Sequence, residues 1–390
     1  MRRTLVVADV HLTRHTPLDV SRDLASFVDA HRGARLFVAG DLFDRSAEGE
    51  PLPSFDEVLA IHGGLRKALG AHLDAGGELR LAAGNHDSEV AAPGFVGEFA
   101  DAIGVTSASR ARITATPWFF REGGLHVEHG HLFDPDNAPA HPLVQGAPSL
   151  GVRFVHDFIA PTGAYAYLNR NAKLPLELFV EAFTRYGLRG PYVVATFFRA
   201  AFAALAASGA RYDLDGERAE GDALLEAFAV SAGVSPSDVR AVLSEADPPT
   251  LSDTRKTFGR LYLDRVASTL SLLGSLGLAG AGKAKAALVL GAVGAGSMLA
   301  SWATSYDRYA GKVVARLAEG AELIARHTSA DLVVFGHAHH AEVRGSYANP
   351  GSFAFSEGDG RTFLELDTRG GRPRAELRSM PKGGMPLRTP

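Results

Sequence analysis

Short runs of β-branched and apolar residues alternate with amphipathic helical patterns along the first 130 residues, and this alternation constrains the fold most. The predicted strands are Thr4–Ala8, Arg35–Ala39, Glu78–Ala82, Ile113–Trp118 and Leu125–Glu128. Apolar residues at helical spacing over Pro17–His31 and Ser54–Ala75 separate them. Such alternation predicts a largely parallel sheet covered by helices, in which functional residues gather where the strands end.

A different pattern follows Asp134. A Pro- and Gly-rich loop leads into residues 151–328, which are helical in pattern nearly throughout. Strand-like runs then resume at Asp331–Phe335, Glu342–Tyr347, Ser352–Phe355 and Thr362–Leu366, with Ala375–Arg378 a weaker candidate. We therefore expect an α/β core built from residues 1–135 and 330–380, an all-helical insertion at 136–329, and a flexible tail at 381–390.

The composition of the chain restricts which residues can bind a metal and which partners its net charge attracts. The chain has 390 residues, a net charge of −4 and no cysteine. Disulfides and thiolate metal sites are therefore excluded, and any metal must be bound by His, Asp, Asn or Glu. The charge gives no whole-chain attraction to nucleic acid or to anionic membranes. Asp9 and His11 interrupt the first apolar run, which is too short for the apolar region of a signal peptide.

Five short motifs follow strand-like runs, and each combines a metal-capable side chain with a turn. They are Asp9-Val-His11, Gly40-Asp41-Leu-Phe-Asp44, Gly84-Asn85-His86-Asp87, His129-Gly-His131 and Gly336-His337-Ala-His339. Oxygen ligands together with imidazole suit Mn²⁺, Fe, Zn²⁺ or Mg²⁺. Two such cations bridged by one carboxylate can activate a water and clamp the oxygens of a phosphoryl group.

In order and placement, these motifs resemble the calcineurin-like metallophosphoesterases over about residues 1–135 and 330–367. The resemblance implies a β-sandwich flanked by helices, in α/β/β/α layers. It implies that the first metal is held by Asp9, His11, Asp41 and His339. It implies that the second metal is held by Asp41, Asn85, His129 and His337, with Asp41 bridging. His86 would face the phosphate as general acid or charge stabiliser. Asp44 and Asp87 would orient imidazoles.

The implied activity is hydrolysis of a phosphate ester or pyrophosphate by attack of a hydroxide that bridges two divalent ions, with manganese expected first. The opening ADVHLTRHTPLDVSRDLASFV and RLFVAGDLFD look most like the UDP-2,3-diacylglucosamine hydrolase branch. Those enzymes cut a pyrophosphate in a lipid-linked nucleotide. That branch has an arginine at the position of His86 and a shorter insertion. The resemblance implies a phosphorylated, lipid-linked substrate and a cytoplasmic location peripheral to the inner membrane.

Two other hypotheses remain open at this point. A DNA nuclease of the SbcD type shares the GDLFD and GNHD motifs, and it predicts Lys and Arg clustered around the cleft. The nearest basic cluster is Arg110-Ala-Arg112 and the insertion is not notably basic, which disfavours nucleic acid as a partner. A non-catalytic scaffold on the same fold would instead use the insertion to dock a partner or membrane, and metal content separates it from an enzyme.

The insertion contains two uncharged stretches, Val266–Gly282 and Ala286–Ala303, separated by Lys283 and Lys285. Eighteen helical residues reach about 27 Å, close to the thickness of a bilayer core. Both stretches are rich in Gly, Ala and Ser, which gain little from lipid but let two helices pack closely. Residues 266–303 are therefore expected to form a helical hairpin, and burial in protein, peripheral membrane contact and membrane spanning all remain open.

Overall fold

The computed structural model describes residues 3–163, 183–305, 312–356 and 358–383. Two compact units are formed by the chain. The sheet unit comprises Met1–Asn169, Asp213–Pro249 and Val313–Pro390. The helical unit comprises Arg170–Tyr212 and Thr250–Lys312.

The sheet unit contains two mixed β-sheets. Their strands are β1 Thr4–Val7, β2 Arg35–Ala39, β3 Glu78–Ala82, β4 Ile113–Thr116, β5 Phe119–Glu122, β6 Leu125–Glu128, β7 Leu332–Val334, β8 Ala341–Arg344, β9 Tyr347–Pro350, β10 Gly360–Asp367 and β11 Arg374–Pro381. The first sheet has the order β11-β10-β1-β2-β3-β4, and the second has the order β5-β6-β7-β9-β8. The expectation of an α/β fold is confirmed.

Parallel pairing extends from β1 to the edge strand β4 in the first sheet and over the three central strands of the second. β1 to β4 are parallel neighbours, and so are β6, β7 and β9. The outer strands β10, β11, β5 and β8 pair antiparallel. The second sheet contains strands from both sides of the predicted insertion in sequence: β6 precedes the insertion, β7 follows it, and the two strands pair.

Three buried apolar clusters define the layers of this unit. Between the sheets, Phe37 and Leu364 of the first pack with Val127 and Val334 of the second. The other face of the first sheet is covered by helices Leu18–Ala30, Phe55–Ile61, Gly63–Asp74 and Phe95–Ile103. The other face of the second sheet is covered by helices Leu214–Ser231, Pro236–Glu245 and Lys312–Thr328. Burying both faces of each sheet explains why the central strands β1 and β7 consist almost entirely of apolar residues.

The structure divides the predicted insertion, residues 136–329, between the two units. Leu225, Val239 and Leu317 belong to helices of this segment, yet they pack against the second sheet. The helical unit contains the remaining long helices of the segment, Gly190–Ala206, Thr254–Arg260, Leu263–Gly280 and Ala284–Ser305. The sequence pattern is uniformly helical here, so it does not reveal which apolar faces meet a sheet.

Several predicted elements differ from the structure. The predicted strand Ser352–Phe355 is wrong, because the Ser352 hydroxyl donates to the Asp9 carbonyl and accepts from the Phe355 amide, which turns the chain. The predicted helix Ser54–Ala75 is two helices that meet at His62. The predicted strand Glu342–Tyr347 is interrupted at Gly345, where φ is +60°. β5 follows the predicted strand Ile113–Trp118 as a separate strand.

Shorter helical segments complete the described part of the chain. They are Arg45–Glu48, Ser88–Ala91, Ser107–Arg110, His131–Phe133, Leu150–Phe154, Val155–Ile159, Ala160–Thr162, Gly187–Arg189, Gly209–Arg211 and Thr250–Ser252. Arg45–Glu48 and Ser88–Ala91 begin directly after Asp44 and Asp87, so the chain turns sharply at both predicted site residues.

Candidate metal centre

The predicted ligands lie in loops that follow strands β1, β2, β3, β6 and β7, where those strands end. Five of the residues in these loops adopt the left-handed backbone conformation, which is unfavourable for residues other than glycine. They are Asp9, His11, Asp41, His337 and His339, with φ between 49° and 64°. Strained backbone of this kind persists where surrounding contacts enforce it and concentrates at functional sites. Here it turns carboxylates and imidazoles towards a common point.

Asp9, His11 and His339 form one group, in which Asp9 and His11 are buried and the His339 side chain is 23% exposed. Nε2 of His339 lies 3.2 Å from Oδ1 of Asp9, and Nε2 of His11 lies 3.9 Å from the same oxygen. The two imidazole Nε2 atoms are 3.3 Å apart. The structure thus brings together three of the four residues expected around the first metal, from loops 328 residues apart in sequence.

Asp41 connects this group to a second one. Its Oδ2 atom lies 3.8 Å from Nε2 of His11 and 3.2 Å from Nε2 of His129. Nε2 of His129 also lies 3.0 Å from Oδ1 of Asn85. The other ring nitrogen of His129, Nδ1, lies 2.9 Å from the carbonyl oxygen of Ala39 and therefore carries the proton. The Nε2 atom of His129 consequently faces Asp41 and Asn85.

His337 lies beside the second group, with its ring centroid 5.0 Å from that of His129. Its Nε2 atom lies 2.9 Å from Oδ2 of Asp134, which leaves Nδ1 to serve as a ligand. Its backbone amide donates to both carboxylate oxygens of Asp9. Asp134 was not among the predicted site residues. It belongs to the carboxylate-rich DPDN segment directly after the fourth motif, where the Pro- and Gly-rich sequence indicates only a loop.

Asp44 faces two imidazoles. Its Oδ1 atom lies 3.1 Å from Nδ1 of His86, and its Oδ2 atom lies 3.7 Å from Nδ1 of His11. The amide of His86 donates to Oδ1 of Asp41. The structure therefore places His86 at the edge of the two groups, with a side chain that remains 12% exposed.

Asp87 has a different role from the one expected. Its carboxylate accepts hydrogen bonds from the backbone amides of Gly84, Asp41, Leu42 and Phe43. Among the described residues, these backbone amides are its hydrogen-bond donors, and the prediction that Asp87 orients an imidazole is wrong. Because it ties the third motif to the second, Asp87 holds the loops together.

Burial and neighbouring charges act in opposite directions on the pKa values of Asp9 and Asp41. Burial would raise the pKa of Asp41, but His129, His86 and His11 hold it well below its usual value. Burial would likewise raise the pKa of Asp9, and His339 and His129 lower it. Burial raises the pKa of Asp87 to about 7, with the nearby Asp41 charge adding to the effect. Asp9 and Asp41 are thus anionic at neutral pH and suited to bind cations.

The imidazoles divide into two classes, those whose pKa is raised and those whose pKa is lowered. Burial would lower the pKa of His129, but Asp41 and Asp9 raise it to about 9. Burial would lower the pKa of His86 too, but Asp44 and Asp41 raise it to about 10. Burial lowers the pKa of His339, and burial with the nearby His129 lowers that of His131 well below its usual value. A cation would take the place of the proton on His129.

The donor set fits divalent metal ions. Three groups have ligand atoms that all lie within 4.8 Å of one another: Asp9/His11/His339, His11/Asp41/His86 and Asp9/Asp41/His129. Separations of 3.2–3.9 Å between neighbouring oxygen and nitrogen atoms match ligand atoms that each lie about 2.0–2.2 Å from one ion. These buried groups could therefore hold a metal ion.

Gly84 leaves the space that the Asp41 carboxylate fills. A Cβ atom at this position would lie 2.0 Å from Oδ1 of Asp41 and 2.6 Å from its backbone nitrogen. Any side chain here would displace the oxygen that accepts the His86 amide. The glycine of the GNHD motif is therefore required by packing against the second motif.

Comparisons with known proteins do not assign this site. No protein-family profile matches the chain. No curated protein matches it either.

Proposed function

We propose that this protein is a two-metal hydrolase of phosphate esters or pyrophosphates, built on the calcineurin-like β-sandwich. The observation that carries the proposal is the position of the Asp41 Oδ2 atom. It lies within 3.8 Å of His11 on one side and 3.2 Å of His129 on the other, so one carboxylate oxygen is shared by two ligand groups. Shared carboxylates are how proteins hold two cations close enough to act on one phosphoryl group.

The first metal would be held by Asp9, His11, Asp41 and His339. The second would be held by Asp41, Asn85, His129 and His337. When bound, such ions lower the pKa of a water and draw charge from phosphoryl oxygens. Asp134 would fix the ring of His337 through its contact with Nε2, and the Ala39 carbonyl fixes that of His129.

His86 supplies the remaining chemistry from the protein itself. Its raised pKa keeps it cationic at neutral pH, and its side chain is partly exposed beside the Asp41 carboxylate. A cation in this position stabilises negative charge that develops on the phosphoryl group, or donates a proton to the leaving oxygen. Asp44 holds the ring in place and keeps it charged.

The substrate class proposed is a phosphorylated compound carrying an apolar group, such as a lipid-linked pyrophosphate, and manganese is the first metal to test. The exposed apolar side chains of the helical unit support this class. A cytoplasmic location at the surface of the inner membrane would give the protein access to such substrates.

The test is a substrate panel with Mn²⁺-loaded protein, containing a bis-aryl phosphate, a phosphomonoester, a UDP-diacylglucosamine-type pyrophosphate and duplex DNA. We expect hydrolysis of the small phosphoesters, about two metal ions per chain by elemental analysis, and loss of both in Asp41→Asn. Asp247→Asn, which alters an exposed carboxylate, is the matched control. Cleavage of DNA alone would favour the nuclease hypothesis. Absence of stoichiometric metal would instead favour the scaffold.

A further inference from the structure

The two long helices Leu263–Gly280 and Ala284–Ser305, called the hairpin below, pack against each other within the helical unit. No charged residue occurs from Val266 to Gly282 or from Ala286 to Ser305. The stretch Ala284–Ala303 is long and apolar enough to cross a membrane, and only 17% of it is buried. A core helix of a water-soluble protein with this composition would be mostly buried.

Small and hydroxylated residues lie between the two helices. The Ser268 hydroxyl lies 3.0 Å from that of Ser297, and the Ser275 hydroxyl donates to the Ala287 carbonyl at 2.7 Å. A Cβ atom at Gly294 would lie 3.0 Å from the Ser268 carbonyl oxygen. The helices therefore approach closely at small and polar side chains, with Leu272 and Leu290 packed against the glycines of the facing helix. Close approach through small residues is how helices associate in lipid.

Large apolar side chains point away from this interface. Their exposed fractions range from 51% to 75%. They are Leu270, Leu273, Leu276, Leu288, Val289, Val293, Leu299 and Trp302. A hairpin adapted to water has the opposite arrangement, with leucines between the helices and serines outside. This inversion indicates that the surroundings of the hairpin are apolar.

Between residues 268 and 301, the described hydroxyl groups of the hairpin have hydrogen-bond partners within the protein. Thr269 donates to the carbonyl of Arg265, and Ser271 donates to that of Ala267, each one helical turn earlier. Backbone and side-chain polar groups must be paired internally wherever lipid replaces water. The exposed hydroxyls of the hairpin therefore add no requirement for solvent.

The distribution of charge on the hairpin indicates what covers its exposed apolar side chains: a bilayer core, a membrane surface or a protein partner. A helix that lies on a membrane surface has one charged face, and neither helix of the hairpin has one. A protein partner would cover one side, whereas apolar residues such as Leu276 and Val293 leave no charged side on the hairpin. The charges lie at its ends: Lys283 and Lys285 at the exposed tip, and Asp264 and Arg265 bonded to Ser301 at the base.

We propose that the hairpin inserts into the hydrocarbon core of a lipid bilayer, with Lys283 and Lys285 among the phosphate groups of the opposite leaflet. The helix Ala284–Ser305 has 22 residues and is therefore about 33 Å long, against a core of about 30 Å. The lysines match anionic headgroups in charge. Insertion would make this protein membrane-anchored, and it does not depend on the proposed hydrolase activity.

The chain lacks cysteine, so one introduced cysteine provides a unique position for an environment-sensitive fluorophore. Val289→Cys places the probe within the hairpin, and Val230→Cys places it on the exposed surface of the sheet unit as a control. With vesicles of phosphatidylcholine and phosphatidylglycerol, we expect the Val289 probe to shift to the blue. Lipids that carry a quencher at mid-chain should quench it more strongly than lipids quenched at the headgroup. The Val230 probe should remain unchanged.

Flotation of the full chain with the same vesicles is the second measurement. The double variant Leu276→Asp/Val293→Asp should lower the partition coefficient by more than about a hundredfold, because one carboxylate near the bilayer centre already has an effect of that order. Leu224→Asp/Val230→Asp should leave it unchanged, because both residues lie on a helix of the sheet unit. Circular dichroism checks that each variant is folded.

Three results would overturn the proposal. The first is an unshifted Val289 probe in the presence of vesicles. The second is quenching of this probe only by headgroup-labelled lipid, which would place the hairpin on the surface. The third is a dimer that sedimentation detects without vesicles and that Leu276→Asp/Val293→Asp converts to a monomer. This result would show that a second copy of the chain covers the apolar surface of the hairpin. Because every readout is independent of hydrolysis, failure here leaves the proposed activity untouched, and the reverse also holds.

Discussion

The carboxylate of Asp44 lies 3.1 Å from the Nδ1 atom of His86. The Asp44 side chain is buried, whereas that of His86 is 12% exposed. The second oxygen of the same carboxylate lies 3.7 Å from His11, a proposed metal ligand. One buried charge therefore acts on a ligand and on the cation proposed to face the phosphate. This arrangement makes Asp44 a positioning residue whose loss should affect the reaction without removing a ligand atom.

We expect Asp44→Asn to lower kcat by about 10- to 100-fold while the metal content stays near that of the wild type. The pKa of His86 is raised by the Asp44 charge, so the variant should also move the basic limb of the rate–pH profile to lower pH. The measurement is kcat as a function of pH, together with elemental analysis. An unchanged basic limb would show that Asp44 does not keep His86 charged during the reaction.

His86→Gln should separate catalysis from metal binding. We expect kcat to fall by about 10²- to 10⁴-fold, the range for loss of a positioned proton donor or cation. Metal content should be retained, because His86 is proposed as a group that faces the substrate. His129→Gln is the contrasting variant, since its Nε2 atom faces both Asp41 and Asn85. It should lose metal and activity together, and equal metal loss in both variants would make His86 a ligand.

The central strands and the first four loops with proposed ligands could be predicted from sequence because each signal is local. A short apolar run that leads to Asp41 or Asn85 defines both the strand and the position of the side chain after its end. The contact between Asp134 and His337 could not be found in this way, because 203 residues separate them. Periodicity also cannot distinguish a helix that covers a sheet from one that lies in another unit.

The metal-free protein should become less stable as the pH rises from about 6 to 10. The pKa values of His129 and His86 are raised in the folded state, to about 9 and about 10. The stability that protonation of these two histidines contributes is fully present below the pKa of histidine in the unfolded chain, about 6.5. It is lost as the pH rises through 9 to 10. The raised pKa of Asp87, about 7, acts in the same direction from lower pH. The combined loss should amount to several kcal/mol, because each unit of pKa shift corresponds to about 1.4 kcal/mol, and it should be seen as a falling Tm.

Saturating Mn²⁺ should reverse this trend, because the metal replaces the proton on His129 and binds more tightly as the pH rises. The difference in Tm between metal-bound and metal-free protein should therefore widen from pH 6 to 9 at constant ionic strength. Asp41→Asn removes the charge that raises the pKa of His129, so it should weaken both the decline and the metal effect. A constant difference across this range would contradict the proposed ligand role of His129.

Gly84→Ala should disrupt the centre although it adds one methyl group. The new Cβ atom would lie 2.0 Å from Oδ1 of Asp41, so the carboxylate must move or the loops must separate. We expect a loss of about 1–3 kcal/mol in stability, the usual range for overpacking, and loss of stoichiometric metal.

Gly97→Ala is the matched control, since this glycine lies in helix Phe95–Ile103 with open space around its Cβ position. That variant should gain about 0.5–1 kcal/mol, because alanine favours helix, and keep its metal. If Gly84→Ala bound metal and hydrolysed phosphoesters as the wild type does, the Asp41 carboxylate would not be the bridge between the two ligand groups.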